Sequence, residues 1–277
     1  MNLTQHARPT GCPVDGHVHF HSLDLVAATL SAAARNFRGI TSGGEGAIRG
    51  MLLLTQAFGE RVFEQLTAGR LPGEWRLEPA ADEAETLISR NGAGEIIVIV
   101  CGRQVRAQGG LEVLALGTRQ EFPDGLSLPD TVRAVRDTGS MAVLPWGFGK
   151  WLGSRGRRVS ETLESFGVRQ LAVGDNGSRM AGWAVPQLLS DAERGGFRVI
   201  PGTDPFPFAH DYERVGRFGF FAAAAIDERA PWRSLHAWLD TLNTSPPRFG
   251  APTGPLRFAF NQVGIQFYNR FLRKAAA

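Results

Sequence analysis

The chain has 277 residues, 43% of them apolar and 21% charged, with 30 basic residues against 27 acidic ones. That length suits one large domain with a substantial core, and the net charge of only +3 argues against a nucleic-acid-binding protein. No apolar run approaches the roughly 18 residues a membrane helix needs, so no membrane partner is expected.

Residues 1–12 read as a loose lead-in, and residues 13–20 as the first strand. Residues 23–37 are expected to form a helix, because Leu23, Val26, Leu30 and Ala34 recur at helical spacing in an alanine-rich stretch. A loop over 41–45, a short strand over 51–54 and a helix over 60–66 follow. Residues 75–118 then change character. Four short strand-like runs succeed one another with no helix between them, and Asn91-Gly92-Ala93-Gly94 reads as a hairpin turn.

From residue 128 the order becomes helix, strand, then a polar or glycine-rich loop, three times over. Helices are expected at 128–138, 159–166 and 184–194, and strands at 141–144, 170–173 and 197–200. This is the pattern of a parallel sheet with crossover helices. A further strand within 216–225 and a helix over 231–242 precede an irregular C-terminal arm, residues 243–277, in which 243–255 is irregular and 258–272 reads as a terminal helical or packed segment whose aromatics serve core packing.

The two cysteines, Cys12 and Cys101, fall in no Cys-x-x-Cys pattern, so neither a disulfide framework nor a zinc ribbon is expected. Residues 1–13 are polar and show no leader-like apolar run, which makes the cytoplasm the expected compartment.

The chemistry concentrates in Val14-Asp15-Gly16-His17-Val18-His19-Phe20-His21. Three of the six histidines lie there at every second position. On a strand, residues two apart project from the same side. His17 and His19 therefore form half a site for a divalent metal, zinc first and manganese second, and His21 joins them if the strand runs on.

Asp15-Gly16-His17-Val18-His19-Phe20 resembles the opening strand of metal-dependent hydrolases built on TIM-type barrels. Two groups share it: the amidohydrolase superfamily and the polymerase-and-histidinol-phosphatase (PHP) phosphoesterases. Gly202-Thr203-Asp204-Pro205 resembles the Gly-Ser/Thr-Asp signature that closes those barrels, and Leu111-Glu112-Val113 resembles the PHP strand that carries a metal-bridging glutamate.

The resemblance implies a single distorted TIM-like (β/α) barrel spanning 1–277, with a β-meander insertion around 75–118. It implies a metal site of His17, His19, Glu112 and Asp204, with Asp204 as ligand or general base. Lys150 takes a catalytic position, either in place of a bridging lysine or as an anion contact. The strand ends Leu144-Pro145-Trp146-Gly147 and Val173-Gly174-Asp175-Asn176 depart from both families, since neither carries a histidine.

Arg103 after the apolar run 96–100, together with Asp175 and Arg179 after the strand at 170–173, are the expected substrate contacts. Arginine favours an anionic small molecule. The implied activity is hydrolysis of a phosphoester or amide-like bond by a metal-activated water. The alternative is a barrel with too few ligands, serving as a small-molecule-binding or scaffold protein. The sequence does not specify an oligomeric state.

Overall fold

The run Ile96-Ile97-Val98-Ile99-Val100 shows how this fold is built. Every side chain in it is essentially inaccessible to solvent, and β-branched residues suit an extended chain covered on both faces. It forms strand β6 in the computed structural model, which describes residues 11–40, 46–69, 73–208 and 210–267. Most of the lead-in, the loop over 41–45 and the end of the C-terminal arm lie outside the described residues.

Two mixed sheets make up the fold. The first has seven strands in the order β13 (Arg248–Gly250), β12 (Phe218–Ala222), β1 (Cys12–Val18), β2 (Ile48–Leu54), β6 (Ile96–Val100), β5 (Thr86–Arg90) and β4 (Arg76–Pro79). The second has six: β11 (Val199–Gly202), β10 (Ala172–Asn176), β9 (Met141–Pro145), β8 (Glu112–Leu116), β7 (Gly102–Arg106) and β3 (Gln56–Ala57).

The TIM-like barrel expected from the sequence is therefore corrected: the ladders form two sheets and no closed barrel. A TIM barrel needs eight parallel strands, each followed by a helix. Here β8 runs antiparallel to both β7 and β9, and β12 runs antiparallel to β1. The stretch around 75–118 is not an insertion either. It supplies β4, β5 and β6 to the first sheet and β7 and β8 to the second. Because β2 runs through Thr55 into β3, and β6 through Cys101 into β7, two continuous segments tie the sheets together.

Strand alternation divides the apolar residues into three clusters. Met51, Leu53, Val98, Val100, Leu114, Val143, Ile200 and Phe220 share a core between the sheets. Their neighbours Leu52, Leu54, Ile97 and Ile99 pack outward on Leu30 and Phe37 of α1 (Val26–Arg38) and on Phe63 of α2 (Val62–Thr67). On the other side Val113, Leu144 and Val173 pack against α3 (Leu128–Asp137), α4 (Gly153–Ser165) and α5 (Gln187–Arg194). Each such side chain contributes about 1.5–3 kcal/mol by leaving water.

Local signals set the helix boundaries. Ser127 caps α3 by accepting a hydrogen bond from Asp130 N at 3.2 Å, with proline and Asp130 in the first turn. Helix α4 begins six residues earlier than the sequence suggests, because its first turns are the polar Arg155-Gly156-Arg157-Arg158, which carry no apolar period.

Helix α6 (Pro231–Thr241) closes one end of the inner core with Trp232, Leu235 and Leu239. Its cap comes from far away in sequence. The Glu83 carboxylate accepts from Trp232 N at 2.7 Å and from Arg233 N at 3.0 Å. The arm expected to be irregular contains strand β13 and helix α7 (Pro255–Phe267).

Candidate metal centre

The candidate ligands lie where β1 and β11 end side by side. Val14 faces the inner core, whereas Val18 and Phe20 face the α1 side. The parity changes because the ladder between β1 and β2 shifts between Asp15 and Val18. His17 and His19, alternating with Val18 and Phe20, consequently face the same way.

Two glycines let β11 approach. A methyl group at Gly202 would come within 2.1 Å of the His17 backbone nitrogen, and one at Gly16 within 2.7 Å of the Pro201 carbonyl oxygen. Asp204 N then donates to His17 O at 2.8 Å, beside the histidines. Asp204 has a left-handed backbone, φ 49°, a conformation that costs a non-glycine residue about 1–3 kcal/mol.

Asp15 is what holds this turn. Its carboxyl group is inaccessible to solvent and accepts from Thr203 N at 2.7 Å, Thr203 Oγ1 at 2.5 Å, Gly216 N at 2.8 Å and His17 N at 3.4 Å. Burial pushes this carboxyl up to about 6, against those four donated hydrogen bonds.

Among the described residues, His17, His19 and Asp204 form a group that could hold a metal ion, with ligand atoms all within 4.8 Å of one another. His17 Nε2 lies 3.1 Å from His19 Nε2, and Asp204 Oδ1 lies 3.5 Å from each. A tetrahedral ion with bonds of about 2.0–2.2 Å separates its ligand atoms by roughly 3.3–3.6 Å; the two carboxylate–imidazole distances fall inside that range and the imidazole pair lies slightly short of it, so the donor set fits.

Surrounding groups orient the three. Asn176 Nδ2 donates to Asp204 Oδ2 at 2.9 Å and to Trp146 O at 2.8 Å, and Ser178 Oγ donates to Asn176 Oδ1 at 2.8 Å. That leaves Asp204 Oδ1 turned toward the imidazoles. Gln104 Oε1 lies 3.3 Å from His17 Nε2, and Thr55 Oγ1 lies 3.4 Å from His19 Nε2. His21 stacks on His19 and donates to Pro205 O at 2.8 Å, one step away from the group.

The charges are coupled. Burial lowers the His17 pKa and so favours its neutral form. Burial pulls His19 the same way, but the Asp204 carboxylate prevails and raises it. Burial alone would raise Asp204, yet the two imidazoles and Lys150 hold its carboxyl well below the usual carboxylate range.

The other residues singled out from the sequence fall into two sets. Glu112 and Lys150 pair with each other, Lys150 Nζ to Glu112 Oε2 at 2.5 Å. They stand outside the three-ligand group but act on it by charge, Glu112 on both imidazoles and Lys150 on Asp204. Arg103, Asp175 and Arg179 are engaged elsewhere. Arg103 donates to Glu60 O at 2.9 Å, to Arg119 O at 2.9 Å and to Glu64 Oε1 at 2.8 Å. Arg179 makes a two-pronged pair with buried Asp175, at 3.2 and 3.0 Å.

On both of these strands the residue beside the centre is the next one along, Gln104 rather than Arg103 and Asn176 rather than Asp175. The available signal was phase. Val105 and Val173 face the outer helices, and a residue two positions away shares that side.

No protein-family model matches this chain, and no curated protein does. Among solved structures, the crystal structure of PsfC from Pseudomonas syringae PB-5123 is similar, with a TM-score of 0.52 and 15% sequence identity over 95% of this chain and all of that one. At that identity the likeness extends to the fold alone.

Proposed function

We propose that this protein is a metal-dependent hydrolase of a small molecule, with His17, His19 and Asp204 holding one divalent ion. The reading rests on the 3.1–3.5 Å spacing of two imidazole nitrogens and one carboxylate oxygen. Three protein ligands with a remaining open position are the arrangement of catalytic rather than structural zinc. An ion held by these three residues would supply Lewis acidity and a water of lowered pKa as the nucleophile.

The chain's own residues do the rest. Asn176 fixes the Asp204 carboxylate so that one oxygen serves as ligand. Gln104 presents its amide beside His17 and orients the substrate. Glu112, whose charge acts on both imidazoles, would be the base that accepts a proton from water and returns it to the leaving group, and Lys150 Nζ, its partner at Oε2, would stabilise the charge that develops on the substrate. Zinc is the favoured ion and manganese the second. Two imidazoles and one carboxylate also suit ferrous iron.

The test is the metal content of protein purified without chelator or affinity tag, compared with a His17→Ala/His19→Ala double variant. Near-stoichiometric metal, lost in the variant, is the expected result, followed by turnover in a screen of phosphoesters and amides. Protein that takes up neither zinc, manganese nor iron would sink the hydrolase reading and leave a ligand-binding role.

A further inference from the structure

Large apolar side chains left in solvent are unevenly placed. Among the described residues most of them lie on the loops after β9 and β10 and on α7, including Phe148, Leu152, Trp183, Leu256, Phe260 and Val263, while Leu25, Phe58 and Val168 stand elsewhere. These loops also carry the centre's supporting residues. Phe148 is two positions from Lys150, and Trp146, whose carbonyl holds Asn176, begins the same loop.

The aromatic rings form two groups, each with one member on α7. Phe148, Trp183 and Phe258 make a triangle with centroids 4.9–5.7 Å apart. Phe206, two residues after Asp204, stacks on Phe208 at 5.5 Å, and Phe208 meets Phe260 edge-on. Helix α7 is fastened over these loops, since Thr253 N donates to Gly177 O and Arg257 pairs with Asp211 at 2.8 Å.

The cations nearby are already matched. Lys150 is paired with Glu112, Arg179 with Asp175 and Arg103 with Glu64, while Arg155 donates to Gly149 O. Lys150 is the one of these that the proposed mechanism turns toward the substrate, and a highly charged anion would have to break the other contacts as well. An aryl or branched apolar group would only cover rings that now face water.

From this we infer that the substrate is amphipathic: a small polar reacting group at His17, His19 and Asp204, and an aromatic or branched apolar group against Phe148, Trp183 and Phe206. The inference rests on the metal-site reading and narrows its substrate class.

Two chelators with one head group and different tails test it. Acetohydroxamate and benzohydroxamate are titrated calorimetrically into the zinc-loaded full chain, and into a Phe148→Ser/Trp183→Ser variant whose metal content and oligomeric state are checked. The expected result is benzohydroxamate binding about tenfold tighter, with the gap largely closed in the variant.

Equal binding of the two chelators overturns the inference and leaves the metal site standing. So does a preference the variant retains, or a variant that changes only the oligomeric state, which would make these rings a contact between copies. A chain that takes up no zinc, or a loaded chain that binds neither chelator, removes the metal-site reading and this inference with it.

Discussion

The two ends of the inner core are finished in opposite ways. At one end α6 lays Trp232, Leu235 and Leu239 on the strands, and the polar groups there are spent on capping the helix. At the other end the ends of β1 and β11 bring together a buried imidazole, a half-buried one and a strained, half-buried aspartate, with the amides of Gln104 and Asn176 from β7 and β10 beside them. Apolar closure stabilises the fold, whereas buried polar groups cost stability unless each is matched. The difference suggests a division of labour, one end for stability and the other for chemistry.

The largest expected effect comes from the closed end. Leu235→Ala removes a side chain with no solvent exposure and should cost about 2–5 kcal/mol in denaturant unfolding. Metal stoichiometry should stay unchanged in the fraction that folds. Loss of metal by a variant that remains folded would break the division.

Asp15→Asn comes next, and it sharpens the contrast because Asp15 serves both stability and the site. Replacing an oxygen with an NH2 sets a donor against the donors of Thr203, Gly216 and His17, at a cost of about 1–3 kcal/mol. A folded carboxyl pKa of about 6, above the ordinary 3.8, means the fold favours the protonated form. That contribution is complete below pH 3.8 and is lost as pH rises through 6. The deficit of the variant should therefore be widest near pH 4 and narrow toward pH 7 in parallel melts.

Asn176→Ala should reverse the pattern seen at Leu235. Freed from Asn176, the Asp204 carboxylate can rotate, and zinc affinity measured by chelator competition should fall about tenfold to a hundredfold. The melting temperature of the metal-free protein should move less than in Asp15→Asn. Glu83→Ala gives the smallest shift, about 0.5–2 kcal/mol for one lost cap, with zinc affinity untouched.

The sequence displayed the candidate ligands better than their setting. His17, His19 and Asp204 stand out because a period of two brings the histidines to one side, and because Asp204 follows a late strand. The closeness of β1 and β11 is also written there, as Gly16 and Gly202, but only once the strands are known to be neighbours.

What was not legible has two physical causes. In β10 Ala172 and Val173 face opposite cores, and in β7 Val105 alone marks a face, so the phase that separates Gln104 from Arg103 and Asn176 from Asp175 can be read only once it is known which core Val105 and Val173 join. Strand partners are long-range choices. The repeated helix–strand–loop order after residue 128 holds for β9, β10 and β11, which do pair in parallel, but nothing local says that β8 joins them antiparallel. Gln104 and Glu83 act on residues 87 and 149 positions away, beyond the reach of any local pattern.

Asp15 also sets an order of events. The groups it grips, Thr203 and Gly216, lie 188 and 201 residues downstream, and the other ladder partner of β1, strand β12, is as remote. During synthesis β1 can pair early with β2, while its other edge stays open and the Asp15 carboxylate unmatched. Closing so large a loop is slow, and the waiting edge is a template for wrong pairings. The segment that holds the two candidate histidine ligands is thus made well before the residues that complete its surroundings, and the candidate centre can assemble only after Thr203, Asp204 and Gly216 have been added.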